Sequence, residues 1–138
     1  MSLINKAQSY CESYKYRFTE PRQRVLEVIV EQNSPITAYN ILRLLSVKKD
    51  INPPTVYRAI EFWSQHSFIH RVESMNSYIA CNSNHKHKGI QVLICDECGL
   101  TKEICINDLT ISANIRKKEA FLVKNWNMEV HGICSNCA

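Results

Sequence analysis

Two cysteine pairs constrain this chain more than anything else in it. Cys95-x2-Cys98 and Cys134-x2-Cys137 repeat one spacing. Two residues between cysteines let both thiolates of a tight turn face one ion, and two such turns complete a tetrahedral sulfur site for zinc. The 35 residues between the pairs exceed a short ribbon finger. They suit a strand, a helix and a strand that returns to its starting end. A thioredoxin-type redox motif would open a helix inside a βαβ unit. Here Cys98 is followed by Gly99 and then by a strand-like segment. A structural zinc held by Cys95, Cys98, Cys134 and Cys137 is the expectation.

The chain has seven cysteines in 138 residues, so its compartment matters. Met1-Ser2-Leu3-Ile4-Asn5-Lys6 lacks the charged start and apolar run of a secretion signal. No apolar stretch approaches the roughly 20 residues of a membrane helix. A cytoplasmic protein that does not touch the membrane is expected. In that reducing setting cysteines point to metal binding or catalysis before disulfides. The net charge of +4 permits nucleic-acid binding without arguing for it.

The first half reads as helices. Residues 2–16 place Leu3, Ala7, Tyr10, Cys11 and Tyr14 at helical spacing. Thr19 can cap a second helix with Pro21 in its first turn and Val25, Leu26, Ile29 and Val30 as its apolar face. Thr37 can cap a third, through Ile41, Leu42, Leu44 and Leu45. Asn52-Pro53-Pro54 interrupts the chain, and Pro54 or Thr55 opens a fourth. There Val56, Ile60 and Trp63 share one face, while Arg58, Glu61 and Gln65 point away and Tyr57 lies at the border.

The period then changes to two. Phe68–Glu73 and Ser77–Cys81 read as a hairpin. Three helices, an exposed fourth and a hairpin make a winged helix-turn-helix pattern. After a polar loop at 82–89 come strands at 90–95 and 100–106, a helix near 107–119 and a strand at 121–131. The predicted fold class is α+β: a winged-helix domain at 1–82, a hinge loop at 83–89 and a small α/β domain at 90–138.

The hairpin offers a second metal constellation. A turn at Met75-Asn76 would set His70 opposite Cys81, and opposed residues have Cβ atoms about 4.5–5.5 Å apart, which suits two ligands of one ion. His85 and His87 follow on the loop as possible third ligands. The same residues also read as a half-buried strand histidine, a core thiol and a solvated loop. Arg17, Arg22 and Arg24 flank the second helix's start, where they suit phosphate contacts or a solvated face. Cys11 and Cys105 read as core and His66 as surface. His131 either orients the nearby cysteine turn or lies idle.

Segments in this order resemble the ferric uptake regulator family over nearly the whole chain. They are Phe18-Thr19-x2-Arg22-x2-Val25-Leu26, Ala38-Tyr39-x-Ile41-Leu42, Pro53-Pro54-Thr55-Val56-Tyr57-Arg58-Ala59 and Phe68-Ile69-His70-Arg71-Val72-Glu73-Ser74. Leu93-Ile94-Cys95-Asp96-x-Cys98-Gly99 and Glu129-Val130-His131-Gly132-x-Cys134-x2-Cys137 complete the set. The wording is most similar to the family's zinc-responsive branch.

The resemblance implies a homodimeric repressor, not an enzyme, whose C-terminal α/β domain dimerizes and whose partner is a double-stranded DNA operator. No small-molecule substrate is implied. It implies two Zn2+ per chain, one structural and one regulatory. The regulatory ligands would be His70, Cys81, His87 and Glu103, with His85 as an alternative to His87, because the loop is one residue longer than expected. Some relatives carry a further ligand histidine where this chain has Lys124-Asn125-Trp126. Tyr39 and Arg58 are implied as direct DNA readers, with Thr55, Tyr57 and Arg22 beside them. The expected function is zinc-dependent repression of zinc-uptake genes through a palindromic operator. The alternative is an iron- or peroxide-responsive regulator on the same scaffold.

Overall fold

The structure is a computed structural model that describes residues 2–81, 89–104 and 109–138. The chain forms two compact units, Met1–Asn82 and Ser83–Ala138. The first holds helices α1 (Leu3–Tyr14), α2 (Glu20–Gln32), α3 (Ala38–Ser46) and α4 (Pro53–Gln65), and strands β1 (Ile36–Thr37), β2 (Ile69–Val72) and β3 (Ser77–Ala80). The second holds strands β4 (Gly89–Cys95), β5 (Thr101–Ile104) and β6 (Trp126–Gly132), and helix α5 (Leu109–Glu119). Among the described residues no helix is long and apolar enough to cross a membrane.

Each helix of the first unit starts where a short polar side chain takes up a free backbone N–H. Ser2 accepts from Asn5 N, Thr19 from Arg22 N, Thr37 from Asn40 N and Asn52 from Thr55 N. The fourth helix therefore begins at Pro53, one or two residues before the expected start. Lys15 and Asn33 end α1 and α2 in the left-handed region, at φ 61° and 51°. The apolar stripes meet in one core of Ala7, Cys11, Val25, Leu26, Ile29, Ile41, Val56, Ile60 and Trp63. Val30 and Leu44, expected in that core, are exposed.

The wing is a three-stranded sheet in the order β1-β3-β2. The two-residue strand β1 was not expected from the sequence. The hairpin register also differs from the expected one. His70 pairs with Ile79 and Val72 with Ser77, so His70 does not stand opposite Cys81. The cause is the turn. Glu73–Met75 form a single 3-10 turn and Asn76 follows at φ 46°, so four residues connect the strands where two were expected.

The second sheet has the order β5-β4-β6. β4 runs antiparallel to β5 and parallel to β6, with Ile94 beside His131 and Cys95 beside Gly132. Parallel neighbours end on the same side, so the turns that follow β4 and β6 emerge together.

Candidate metal centres and nucleic-acid interface

Those two turns carry the four cysteines. The sulfurs of Cys95, Cys98, Cys134 and Cys137 all lie within 4.8 Å of one another. Cys98 Sγ is 3.7 Å from Cys134 Sγ, and Cys134 N–H donates to Cys95 Sγ at 3.3 Å. Cys95 is buried, Cys134 half-buried, and Cys98 and Cys137 are exposed. The backbone N–H of Cys98, joined by that of Cys134, draws the Cys95 thiol down to about 6. The thiols of Cys134 and Cys98 push Cys137 up to about 12. The Cys95 sulfur is thus favoured as a thiolate, while Cys98 and Cys137 are pushed the other way, because anionic sulfurs resist crowding without a cation. All-sulfur donors in this compact a set fit a structural zinc.

The wing carries the second cluster. Cys81 follows β3, and its N–H donates to Phe68 O at 2.9 Å, continuing the β2–β3 pairing. Cys81 lies two residues beyond Ile79, the partner of His70. Period two keeps it on the His70 face, as a diagonal neighbour. The His70 and Cys81 ligand atoms lie within 4.8 Å of each other, and both residues are buried. The expected pairing was off by two residues of register, which leaves the face unchanged, and the two donors still converge. Glu103 is a half-buried residue of β5, paired with Val92. His85, His87 and Cys105 lie outside the described residues.

The exposed side of α4 has one further feature. Arg58 and Thr55 line a cleft with Thr19, Pro21 and Arg22. Tyr57 beside it is 51% exposed, and Tyr39 at the start of α3 is 70% exposed. The buried face of α4 fixes this presentation, with Val56, Ala59, Ile60, Phe62 and Trp63 all in the core. Arg22 is held in place. Its guanidinium lies 3.7 Å over the Phe62 ring and donates to Arg17 O at 2.5 Å. Trp63 Nε1 donates to Arg22 O at 2.8 Å.

His66, expected on the surface, is half-buried at the end of α4. Its Nδ1 lies 2.8 Å from the Tyr10 hydroxyl, and its ring sits 4.5 Å from Phe62 and 4.7 Å from Tyr16. These contacts fasten α1 to the end of α4. Helical spacing set Tyr10 on α1, but its partner is 56 residues away, and no local signal joins them. Cys11 is buried as expected, and burial pushes its thiol up.

Residues 13–131 match the family model described as the ferric uptake regulator family. The zinc uptake regulation protein of Escherichia coli K12 is 35% identical, covering 98% of this chain and 81% of its own length. The chain belongs to the ferric uptake regulator family. A zinc uptake regulator solved in complex with zinc and DNA matches at 35% identity and a TM-score of 0.88, over 98% of this chain and 92% of that one. The holo form of a regulator designated XcZur matches at 32% identity and a TM-score of 0.85, over 97% and 95%. The winged helix followed by an α/β unit is the architecture shared within this family.

Proposed function

We propose that this chain is a zinc-responsive repressor of zinc-uptake genes, which binds a palindromic operator on double-stranded DNA as a homodimer. The observation that carries the reading is the buried His70–Cys81 pair on the wing. A thiolate beside an imidazole suits zinc, whereas histidine and carboxylate sets suit ferrous or manganous ions better. Support comes from the 35% identity to a zinc uptake regulation protein and from the likeness to a zinc- and DNA-bound regulator. The protein acts by binding and performs no turnover.

We assign two zinc ions to each chain. The structural one belongs to Cys95, Cys98, Cys134 and Cys137. The regulatory one belongs to His70, Cys81, His87 and Glu103, with His85 as the alternative loop ligand. Filling the second set ties the wing to the second unit and narrows the angles available between DNA-binding and dimerization halves. Apparent DNA affinity then rises with the fraction of molecules in the competent arrangement. Arg58 is assigned to bidentate contact with a guanine edge in the major groove. Tyr39, Tyr57 and Thr55 flank it, and Arg22 shapes the cleft and faces phosphate. The homodimer is supported by the apolar residues that the second unit leaves exposed: Leu93 and Met128 at 39%, Val130 at 42% and Leu100 at 52%.

The test is operator binding by the purified protein with zinc, ferrous and manganous ions in turn. Zinc should raise affinity most. A stronger response to either other ion would favour an iron- or peroxide-responsive regulator. Cys81→Ser should leave a folded dimer that gains no affinity from zinc, and a full zinc response in that variant would overturn the regulatory assignment. Metal analysis should find two zinc ions per chain, one of them resistant to mild chelation. A saturated protein with at most one would break the two-site assignment.

A further inference from the structure

His131 belongs to neither ligand set, yet both of its ring nitrogens face carboxylates. Nδ1 lies 3.3 Å from Asp96 Oδ1, and Nε2 lies 3.6 Å from Glu129 Oε2. Asp96 is the residue after Cys95, inside the first cysteine turn. Glu129 stands two residues before His131 on β6, so the two share a face, and its side chain is only 19% exposed. Two other links join the same segments. Asp96 N–H donates to Gly132 O at 2.8 Å, and Cys134 N–H donates to Cys95 Sγ at 3.3 Å.

We propose that His131 is a positioning residue of the four-cysteine site. Held from behind by Glu129, its ring ties the Cys95–Cys98 turn to the strand that leads into Cys134 and Cys137, and so slows the release of zinc. The proposal rests on the reading that these four cysteines hold zinc. Each turn supplies two sulfurs, so the site can lose its ion in two ways. Thiolates can detach one at a time in place, or the turns can part as two bidentate halves. The second route requires every link between the turns to break. The His131–Asp96 contact adds a side-chain link to those made by the backbone. Outer partners of metal ligands commonly tune metal retention in this manner. The pair is exposed, with side chains 47% and 58% accessible, so its effect is that of one exposed polar contact, roughly two- to fivefold in rate. Slow release would keep the structural zinc in place while the regulatory site exchanges.

The test uses the full zinc-loaded chain and a chromogenic chelator in excess, and reads the rate of the slow transfer phase. The unaltered protein comes first. If it shows no slow phase, the four-cysteine zinc reading fails, whatever His131 does. Given a slow phase, His131→Ala should speed it roughly two- to fivefold. His131→Asn, whose amide nitrogen takes the place of Nδ1 and can still donate to Asp96, should restore most of the original rate. Asp96→Ala should speed release on its own, and adding His131→Ala to it should bring little more, since the two act as one link. An unchanged rate in His131→Ala overturns the proposal, and so does an equal acceleration with and without Asp96. Should His131→Ala not fold, the Asn variant and Asp96→Ala decide: release at the original rate in Asp96→Ala overturns the proposal.

Discussion

The two units are held together in different ways. The first buries a continuous core that runs from Ala7 on α1 to Ile69 on β2, with Trp63 fully enclosed. In the second, the buried apolar residues among those described are Val92, Ile94, Cys95 and Val123, while Leu93, Leu100, Phe121, Leu122 and Val130 are exposed. A chain segment this short buries too little apolar surface to offset its ordering entropy comfortably, so such domains lean on metals or on oligomerization. The contrast teaches where each unit's stability resides: the first in its own side chains, the second in what it binds. The two tryptophans report on the units separately, Trp63 from the first and Trp126 from the second.

The largest expected effect comes from Cys95→Ser. Structural zinc sites couple on the order of 10 kcal/mol of binding to folding. Losing one thiolate should unfold the second unit and release the dimer, with the Trp126 signal changing and the Trp63 signal preserved. If both tryptophan signals are lost in one transition, the units are not independent and the contrast fails. Leu26→Ala reverses the experiment. It should cost the first unit about 2–5 kcal/mol, the range for a fully buried leucine, in thermal melts followed through Trp63. The chelation-resistant zinc should stay, and its loss would mean that the second unit depends on the first. Arg58→Ala separates readout from stability. We expect about 1–3 kcal/mol less specific operator binding, with both melts and the zinc content unchanged. Operator affinity equal to that of the unaltered protein would remove α4 from the reading role. The smallest effect is Asn52→Ala. Removing that cap should cost about 1 kcal/mol in the first unit's melt alone, and a shift in the Trp126 transition would blur the division.

The parts that could be read from the sequence rest on short-range rules. Cysteine spacing is local chemistry, so the four-cysteine cluster followed from two turns and a strand that returns. Thr19 and Thr37 marked their helices because capping acts within three residues, and the stripe of Val56, Ile60 and Trp63 fixed the buried face of α4. Long-range or marginal features were not legible. The hairpin register depends on the 3-10 turn at Glu73–Met75 and on Asn76 in a left-handed conformation, and Met-Asn is a weak turn signal. The expected facing of His70 and Cys81 therefore failed in detail, although period two kept both on one face. β1 is two residues long, below any periodicity. His66 looked like surface because Tyr10 is remote in sequence. Val30 and Leu44 sit at the edges of their apolar stripes, where spacing alone does not separate core from rim.

The two prolines that open α4 have a consequence for how this helix meets a polyanion. Most helices present free amides at their N-terminus, and phosphates commonly settle there. Here Pro53 and Pro54 have no N–H. The next two amides are already engaged: Thr55 N with Asn52 Oδ1 at 3.1 Å, and Val56 N with Asn52 O at 3.4 Å. The tip of α4 is therefore closed to backbone contacts with an operator. Any phosphate near it must be met by cationic side chains such as Arg58 and Arg22. Each such contact displaces condensed counterions, and the fall of affinity with salt counts them. For this helix, the salt dependence of operator binding becomes a count of the arginines at and beside its start, with little contribution from main-chain amides.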